Sequence, residues 1–382
     1  MSVTRCDIFC KVIDNYGDIG VCWRLARQLA GEHGLAVRLW VDDLASFQRL
    51  APAIDPQRGE QMLAGVSVCP WDVRTAVAQP AEIVIEAFAC DPPDAYIAAM
   101  AALPRKPAWI NLEYLSAEDW VEGCHAMPSP HPRLPLTRHF FFPGFTPRTG
   151  GLLREAALLP RLQAFRADAQ AQAGFWRKLG VPSPATEALK VSLFAYENAA
   201  VGDLLTAWSQ GDREIFCALP EGRILPQVRA WAQGLPSGAG GPVWHSGRLT
   251  VAVLPFMPQD DYDLLLAACD LNFVRGEDSF VRAQWAAHPF VWHIYQQEDA
   301  AHLPKLAAFL GHYTRRMDEA SRQALDAFWQ AWEGGQGAAQ AWPDLLAALP
   351  DLQAAAEAWQ KYLEENGDLA AKLLIFCEDL LE

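Results

Sequence analysis

Short apolar runs recur along this chain, and between them apolar residues return at helical spacing. Residues 6–13 are apolar and β-rich. A polar segment, Asp14-Asn15-Tyr16-Gly17-Asp18-Ile19-Gly20, follows them, and Cys22, Leu25, Ala26 and Leu29 then share one helix face. Gly31 and Gly34 end that helix, and residues 35–41 read as the next strand. This is a βαβ unit, whose parallel strands cross over right-handedly. Further strands are expected at 66–70, 83–87, 109–112 and 139–142. A helical stretch over 151–180 leads to Val181-Pro182-Ser183-Pro184, which reads as a hinge.

The alternation restarts beyond it. Strands are expected at 190–196, 214–218, 250–254, 271–274 and 291–295, with helices at 203–209, 227–233, 262–269 and 280–287. The last hundred residues are mostly helical, and apolar Leu369, Leu373, Leu374 and Phe376 of the final helix suit packing on a neighbour. Strand–helix alternation twice over predicts an α/β chain of two doubly wound domains facing a central cleft. Its 382 residues match two domains of ordinary size.

Composition narrows the function classes. Half the residues are hydrophobic, enough for two cores. With 31 Lys and Arg against 46 Asp and Glu, the formal charge of −15 lacks the basic footprint of a nucleic-acid or anionic-membrane binder. The nine cysteines are scattered without a CxxC pair, and the nine histidines show no HxxxH or HExxH spacing. Neither a disulfide framework nor a compact metal site is indicated. No run approaches the length of a bilayer span, and the first residues lack a signal peptide's apolar core. A soluble, reduced, cytoplasmic protein is expected.

In doubly wound folds, ligands sit beyond the carboxyl ends of the strands. The first such loop carries two carboxylates, Asp14 and Asp18, four residues apart, with Asn15, Tyr16 and Gly17 between them. It is not a GxGxxG dinucleotide loop. Its acids suit a cationic or hydroxyl-bearing acceptor and can serve as a general base. The same residues also suit a structural role, with Asp18 as N-cap and Asp14 as a solvated turn residue. Asn111-Leu112-Glu113-Tyr114 ends a strand of the same half, on the same expected face. In the second half, Arg275-Gly276-Glu277-Asp278-Ser279 joins a strand to a helix, where N–H groups and the positive helix end can take a phosphate, or where Asp278 or Ser279 simply caps. Phe194, Tyr196, Phe256 and Gln259 lie at strand ends, placed to stack on and pair with a base, or else to fill a core. Asp261-Tyr262-Asp263 matches a D-x-D pattern but is expected to cap its helix. The fifteen tryptophans are assigned to cores.

Taken in order, IFCKVIDNYGDIGVCWRLARQLA, NLEYLSAEDWVEG, FFFPGFT, SLFAYEN, LPFMPQDDYD, VRGEDSFVRAQWA and LAAKLLIFCEDL resemble the EarP family over residues 5–381. These are protein-arginine rhamnosyltransferases that modify bacterial translation elongation factor P. The resemblance implies a GT-B architecture: an acceptor domain over 1–182, completed by a C-terminal helix at 362–382, and a donor domain over 183–361. It implies inverting transfer of L-rhamnose from dTDP-β-L-rhamnose to one arginine of elongation factor P, with no metal and no cofactor. By the same matching, Asp14, Asp18 and Glu277 are catalytic, and Phe194, Tyr196, Phe256, Gln259, Asp278 and Ser279 line the sugar-nucleotide pocket.

Chemistry refines those roles. Arginine is protonated and its lone pairs are delocalised, so it needs a carboxylate to hold it and take its proton. Asp18 is the expected base and Asp14 its electrostatic partner, with Arg275 adding charge beside the leaving diphosphate and Glu277 accepting a sugar hydroxyl. Asn15, Tyr16, Gly17, Glu113 and Tyr114 form the expected acceptor side. The rival readings are a GT-B enzyme using another nucleotide sugar or a small acceptor, a non-catalytic nucleotide-sugar-binding protein, and a dehydrogenase, which the missing glycine loop disfavours.

Overall fold

A computed structural model describes residues 4–13, 16–72, 75, 78–235, 243–296, 300 and 302–382. The chain divides into two compact units, residues 1–156 with 363–382, and residues 157–362.

The first unit is built on an eight-stranded sheet. Its strands are β1 (Arg5–Cys10), β2 (Ala36–Val41), β3 (Gln61–Leu63), β4 (Val66–Pro70), β5 (Ile83–Ala87), β6 (Ala108–Leu112), β7 (Pro128–Pro130) and β8 (Thr137–Phe141). Their order is β3-β4-β2-β1-β5-β6-β8-β7, parallel except for β3 and β7. Strand order reverses between β1, which leads to β2, and β5 on its other side. Central strands covered on both faces read as continuous apolar runs, and β5 is buried at every position.

The exception in β1 is Asp7, buried completely. Arg38 grips it with two 2.6 Å hydrogen bonds, Trp40 Nε1 and Ala81 N donate at 3.3 and 3.1 Å, and the Tyr96 hydroxyl donates as well. A buried carboxylate is tolerated when its lone pairs are satisfied in this way. The helix Leu369–Leu381 buries Leu369, Leu373 and Cys377 in the same core as Ile8, Leu25 and Ile110. Leu369 N bonds to Leu152 O at 3.0 Å, and Asp368 caps the helix by accepting from Ala371 N.

The second unit holds six strands: β9 (Leu189–Leu193), β10 (Ile215–Pro220), β11 (Val243–Ser246), β12 (Leu249–Leu254), β13 (Leu271–Arg275) and β14 (Phe290–His293). Their order is β11-β12-β10-β9-β13-β14, with only β11 antiparallel. Here the order reverses between β9 and β13. Trp208, Trp285, Trp329 and Trp332 are fully buried around this sheet, whereas Trp120 of the first unit stands 51% exposed and is not a core residue.

The expected helical stretch before the hinge is two helices, Leu158–Ala167 and Ala169–Lys178, separated by Asp168, which accepts from Gln170 N and Ala171 N. Both belong to the second unit, although the sequence reading places residues 157–182 with the first. Arg161 reaches Asp263 at 2.8 Å, and the Trp176 ring meets Phe216 at 5.4 Å, ties that lie entirely within the second unit. No helix of the described residues is long and apolar enough to cross a membrane.

Candidate active site

The loop after β1 is shorter than the sequence suggests, because the following helix begins at Gly17 and runs to Gly31 with Tyr16 at its N-cap. Asp18 therefore sits in the first helical turn and is not the cap. Its carboxylate turns back to the strand end: Oδ2 accepts the Ile13 N–H at 3.0 Å, and Oδ1 accepts the Tyr114 hydroxyl at 3.2 Å. The side chain is 3% exposed. A first-turn carboxylate also complements the helix dipole. Asp14 and Asn15 lie outside the described residues. Gly17 opens the helix, and Tyr16 carries the Arg49 guanidinium 5.8 Å above its ring.

β6 supplies the other wall. Asn111, near its end, donates from Nδ2 to Glu113 Oε1 at 2.7 Å and accepts the Ala89 N–H at 3.1 Å. Tyr114, 42% exposed, stacks on Phe88 with centroids 4.3 Å apart and planes 15° apart. Phe88, Ala89 and Asp91, just after β5, have φ of 57°, 53° and 47°. Non-glycine residues held in that region cost about 1–3 kcal/mol each and cluster at functional sites. Below them Glu86 is fully buried, and that burial raises its carboxyl to about 7 despite Arg138 at 2.5 Å and Trp109 Nε1 at 3.1 Å. Asp18, Glu113 and Tyr114 thus gather where the strand order reverses. Asn111, which the sequence reading already places at this strand end, and Phe88, which it missed, support them.

In the second unit the reversal point lies between β9 and β13, and Arg275 closes β13 there. Its guanidinium carbon is 4.6 Å from the Phe194 ring centroid and 4.7 Å from that of Tyr196, both just beyond β9. Ring faces attract a cation, so the two aromatics hold this charge at the strand ends. Gly276, with φ 61°, makes the turn that Trp292 Nε1 braces by donating to its carbonyl at 3.0 Å.

The helix Asp278–Trp285 follows, with Glu277 at its N-cap position but without a side-chain capping bond. Its first intrahelical bond runs from Val281 N to Glu277 O at 3.0 Å, so the N–H groups of residues 278–280 lie at an anion-accepting end. Ser279 Oγ accepts the Arg275 N–H at 3.0 Å and donates to the Arg275 carbonyl, tying strand to helix instead of capping. Asp278 is occupied by Gln259, whose Nε2 donates at 2.9 Å. Phe256 is half-buried in the loop after β12, three residues before Gln259.

Tyr196 also meets His293 at 5.4 Å and the half-exposed Tyr295 at 5.6 Å, both edge-on. Burial, then the charge of Arg275, lowers His293 to about 4. His293 ends β14 and Tyr295 lies two residues beyond it, positions the strand-end rule marks but residue type alone does not. The D-x-D pair does not cap its helix, whose N-cap is Pro258. Asp263 is buried against Arg282 at 2.9 and 2.7 Å, and Asp261 pairs with Lys178 at 2.7 Å. Among the described residues no group of three potential ligands could hold a metal ion.

Two parallel-rich Rossmann-like sheets, each with polar side chains gathered at a strand-order reversal, define a GT-B glycosyltransferase fold. The spinosyn rhamnosyltransferase SpnG shares that fold, with a TM-score of 0.52 at 13% identity over 97% of this chain and 99% of its own.

The chain belongs to the EarP family: the profile described as Elongation-Factor P (EF-P) rhamnosyltransferase EarP matches residues 6–378. The protein-arginine rhamnosyltransferases of Pseudomonas putida KT2440 and Pseudomonas aeruginosa PAO1 are each 50% identical to it over 375 residues, 98% of this chain and 99% of theirs. A solved structure described as the structural basis for EarP-mediated arginine glycosylation of translation elongation factor EF-P aligns with a TM-score of 0.70 and 37% identity. That alignment covers 98% of this chain and 99% of that one.

Proposed function

We propose that this enzyme transfers L-rhamnose from dTDP-β-L-rhamnose to one arginine side chain of elongation factor P, with inversion at the anomeric carbon. The reading is carried by Asp18, a nearly buried carboxylate fixed at the end of β1 by Ile13 N–H and the Tyr114 hydroxyl. The acceptor guanidinium is a cation and a poor nucleophile. Asp18 binds it, removes a proton as the nitrogen–carbon bond forms, and with Asp14 lends negative charge to the oxocarbenium-like sugar. Asn15, Tyr16, Gly17, Glu113 and Tyr114 border the acceptor.

On the donor side, Phe194, Tyr196, Phe256 and Gln259 take the nucleoside. Arg275 and the N–H groups opening the helix Asp278–Trp285 stabilise the departing diphosphate. Ser279 and Asp278 hold that turn, and Glu277 accepts a hydroxyl of the donor. Positive charge at the leaving group comes from the protein itself, which supports a reaction without a cofactor. Nine thiols outside any disulfide fit a reducing compartment and support action in the cytoplasm.

The test is incubation with unmodified elongation factor P and dTDP-β-L-rhamnose. A gain of one deoxyhexose, mapped to an arginine by peptide mass spectrometry, is expected. An unchanged mass at full donor saturation overturns the reading.

A further inference from the structure

We propose that Phe88 is a positioning residue for Asp18, acting through Tyr114, and that the left-handed turn at residues 88–91 exists to present its ring. The inference rests on the reading of Asp18 as the base.

The turn is unusual on its own terms. Phe88, Ala89 and Asp91 take φ of 57°, 53° and 47° without a glycine among them. Glycine would enter this region at no steric cost, so a phenylalanine there implies that its side chain is needed.

The surroundings over-determine the conformation. Phe88 N donates to Leu112 O at 2.7 Å, Ala89 N to Asn111 Oδ1 at 3.1 Å, and Cys90 N to Ala87 O at 3.2 Å. The Cys90 thiol donates to Phe9 O at 3.3 Å, linking the turn to β1. Arg138 spans the turn's two ends, with Nη1 2.5 Å from Glu86 and 3.3 Å from Asp91.

What the turn delivers is a ring that is 8% exposed, lying flat against Tyr114. Tyr114 is the more exposed of the two, and without that backing its ring would be free to rotate away from Asp18. With it, the hydroxyl is held on Asp18 Oδ1 while Ile13 N–H holds Oδ2, so both carboxylate oxygens are fixed in direction. Phe88 is too buried to touch a protein acceptor and works only through this contact.

Steady-state kinetics of the full chain with elongation factor P test the idea, using Phe88→Leu, Phe88→Gly, Tyr114→Phe and the double variant Phe88→Leu/Tyr114→Phe. Phe88→Gly relieves the backbone while removing the ring, which separates strain from positioning. We expect each Phe88 variant to lower kcat about tenfold or more, with KM for both substrates within about twofold. The double variant should be no slower than Tyr114→Phe alone, because the two residues act in series, and Phe88→Tyr should restore most of kcat.

Wild-type kcat in folded Phe88→Leu and Phe88→Gly overturns the proposal, as does strict additivity in the double variant. Full activity of Asp18→Asn would instead defeat the underlying reading. An inactive Asp18→Asn with unaffected Phe88 variants defeats this inference alone.

Discussion

The hydroxyl of Tyr114 donates to Asp18 Oδ1 across 96 residues of sequence, joining the end of β6 to the first turn after β1. That bond orients the carboxylate proposed to take the acceptor's proton. Tyr114→Phe keeps the ring on Phe88 and removes only the donor. We expect it to lower kcat about tenfold while dTDP affinity stays unchanged. Stopped or continuous transfer assays with matched calorimetry measure both.

Asp18→Asn preserves shape and removes the basic oxygen. Transfer should fall at least about a hundredfold, whereas dTDP binding by calorimetry should persist, because the proposed nucleotide contacts belong to the second unit. Loss of both together would argue that the side chain serves the fold.

Arg275 lies against two rings, so its planar guanidinium matters as well as its charge. Arg275→Lys should weaken dTDP binding about tenfold, and Arg275→Ala further, with little change in the acceptor's KM. Glu277→Ala should weaken dTDP-rhamnose more than dTDP, the signature of a contact to the sugar. Equal losses for the two ligands would place it on the nucleotide.

His293 sets a pH window. Its folded value of about 4 lies below its ordinary 6.5, because burial and Arg275 disfavour the cation. Below its ordinary value the unfolded chain takes up a proton that the folded one refuses. The stability it contributes is therefore present above pH 6.5 and lost as pH falls through about 4. His125, His139 and His288, also lowered by burial, act in the same direction. Glu86, raised to about 7, acts oppositely: its contribution is lost as pH rises through that value. Thermal melts from pH 4 to 7 should show a shallower acid slope for His293→Phe than for the parent.

Leu373 is buried in the first unit's core from the last helix. Leu373→Ala should destabilise that unit by about 2–5 kcal/mol. Denaturant unfolding monitored within each unit would show the loss confined to the first.

The alternation of strands and helices was legible because β1, β5, β9 and β13 are apolar runs, each interrupted by a single buried polar residue: Asp7, Glu86, Ser192 and Asn272. The edge strands β3, β7 and β11 escaped notice, being three or four residues long with little apolar pattern. Placing residues 157–182 followed the proline-rich segment at 181–184, a local cue, whereas the pairing of Arg161 with Asp263 that ties these helices to the second unit joins positions far apart in sequence. Asp18 could be noticed as a candidate because a carboxylate in the loop after a strand is visible in one dimension, while its proposed role came from the family resemblance. Its support could not. Phe88 adopts a left-handed backbone that no glycine announces, and its partner Tyr114 becomes adjacent only once β5 and β6 pair.

The helix Leu369–Leu381 completes a core begun by β1, yet the ribosome makes it only after the entire second unit. Until then the apolar residues of β1 and its neighbours lack the Leu369, Leu373 and Cys377 side chains that finish their core. The core of the first unit thus closes against the direction of translation, sealed by the segment that the ribosome makes last.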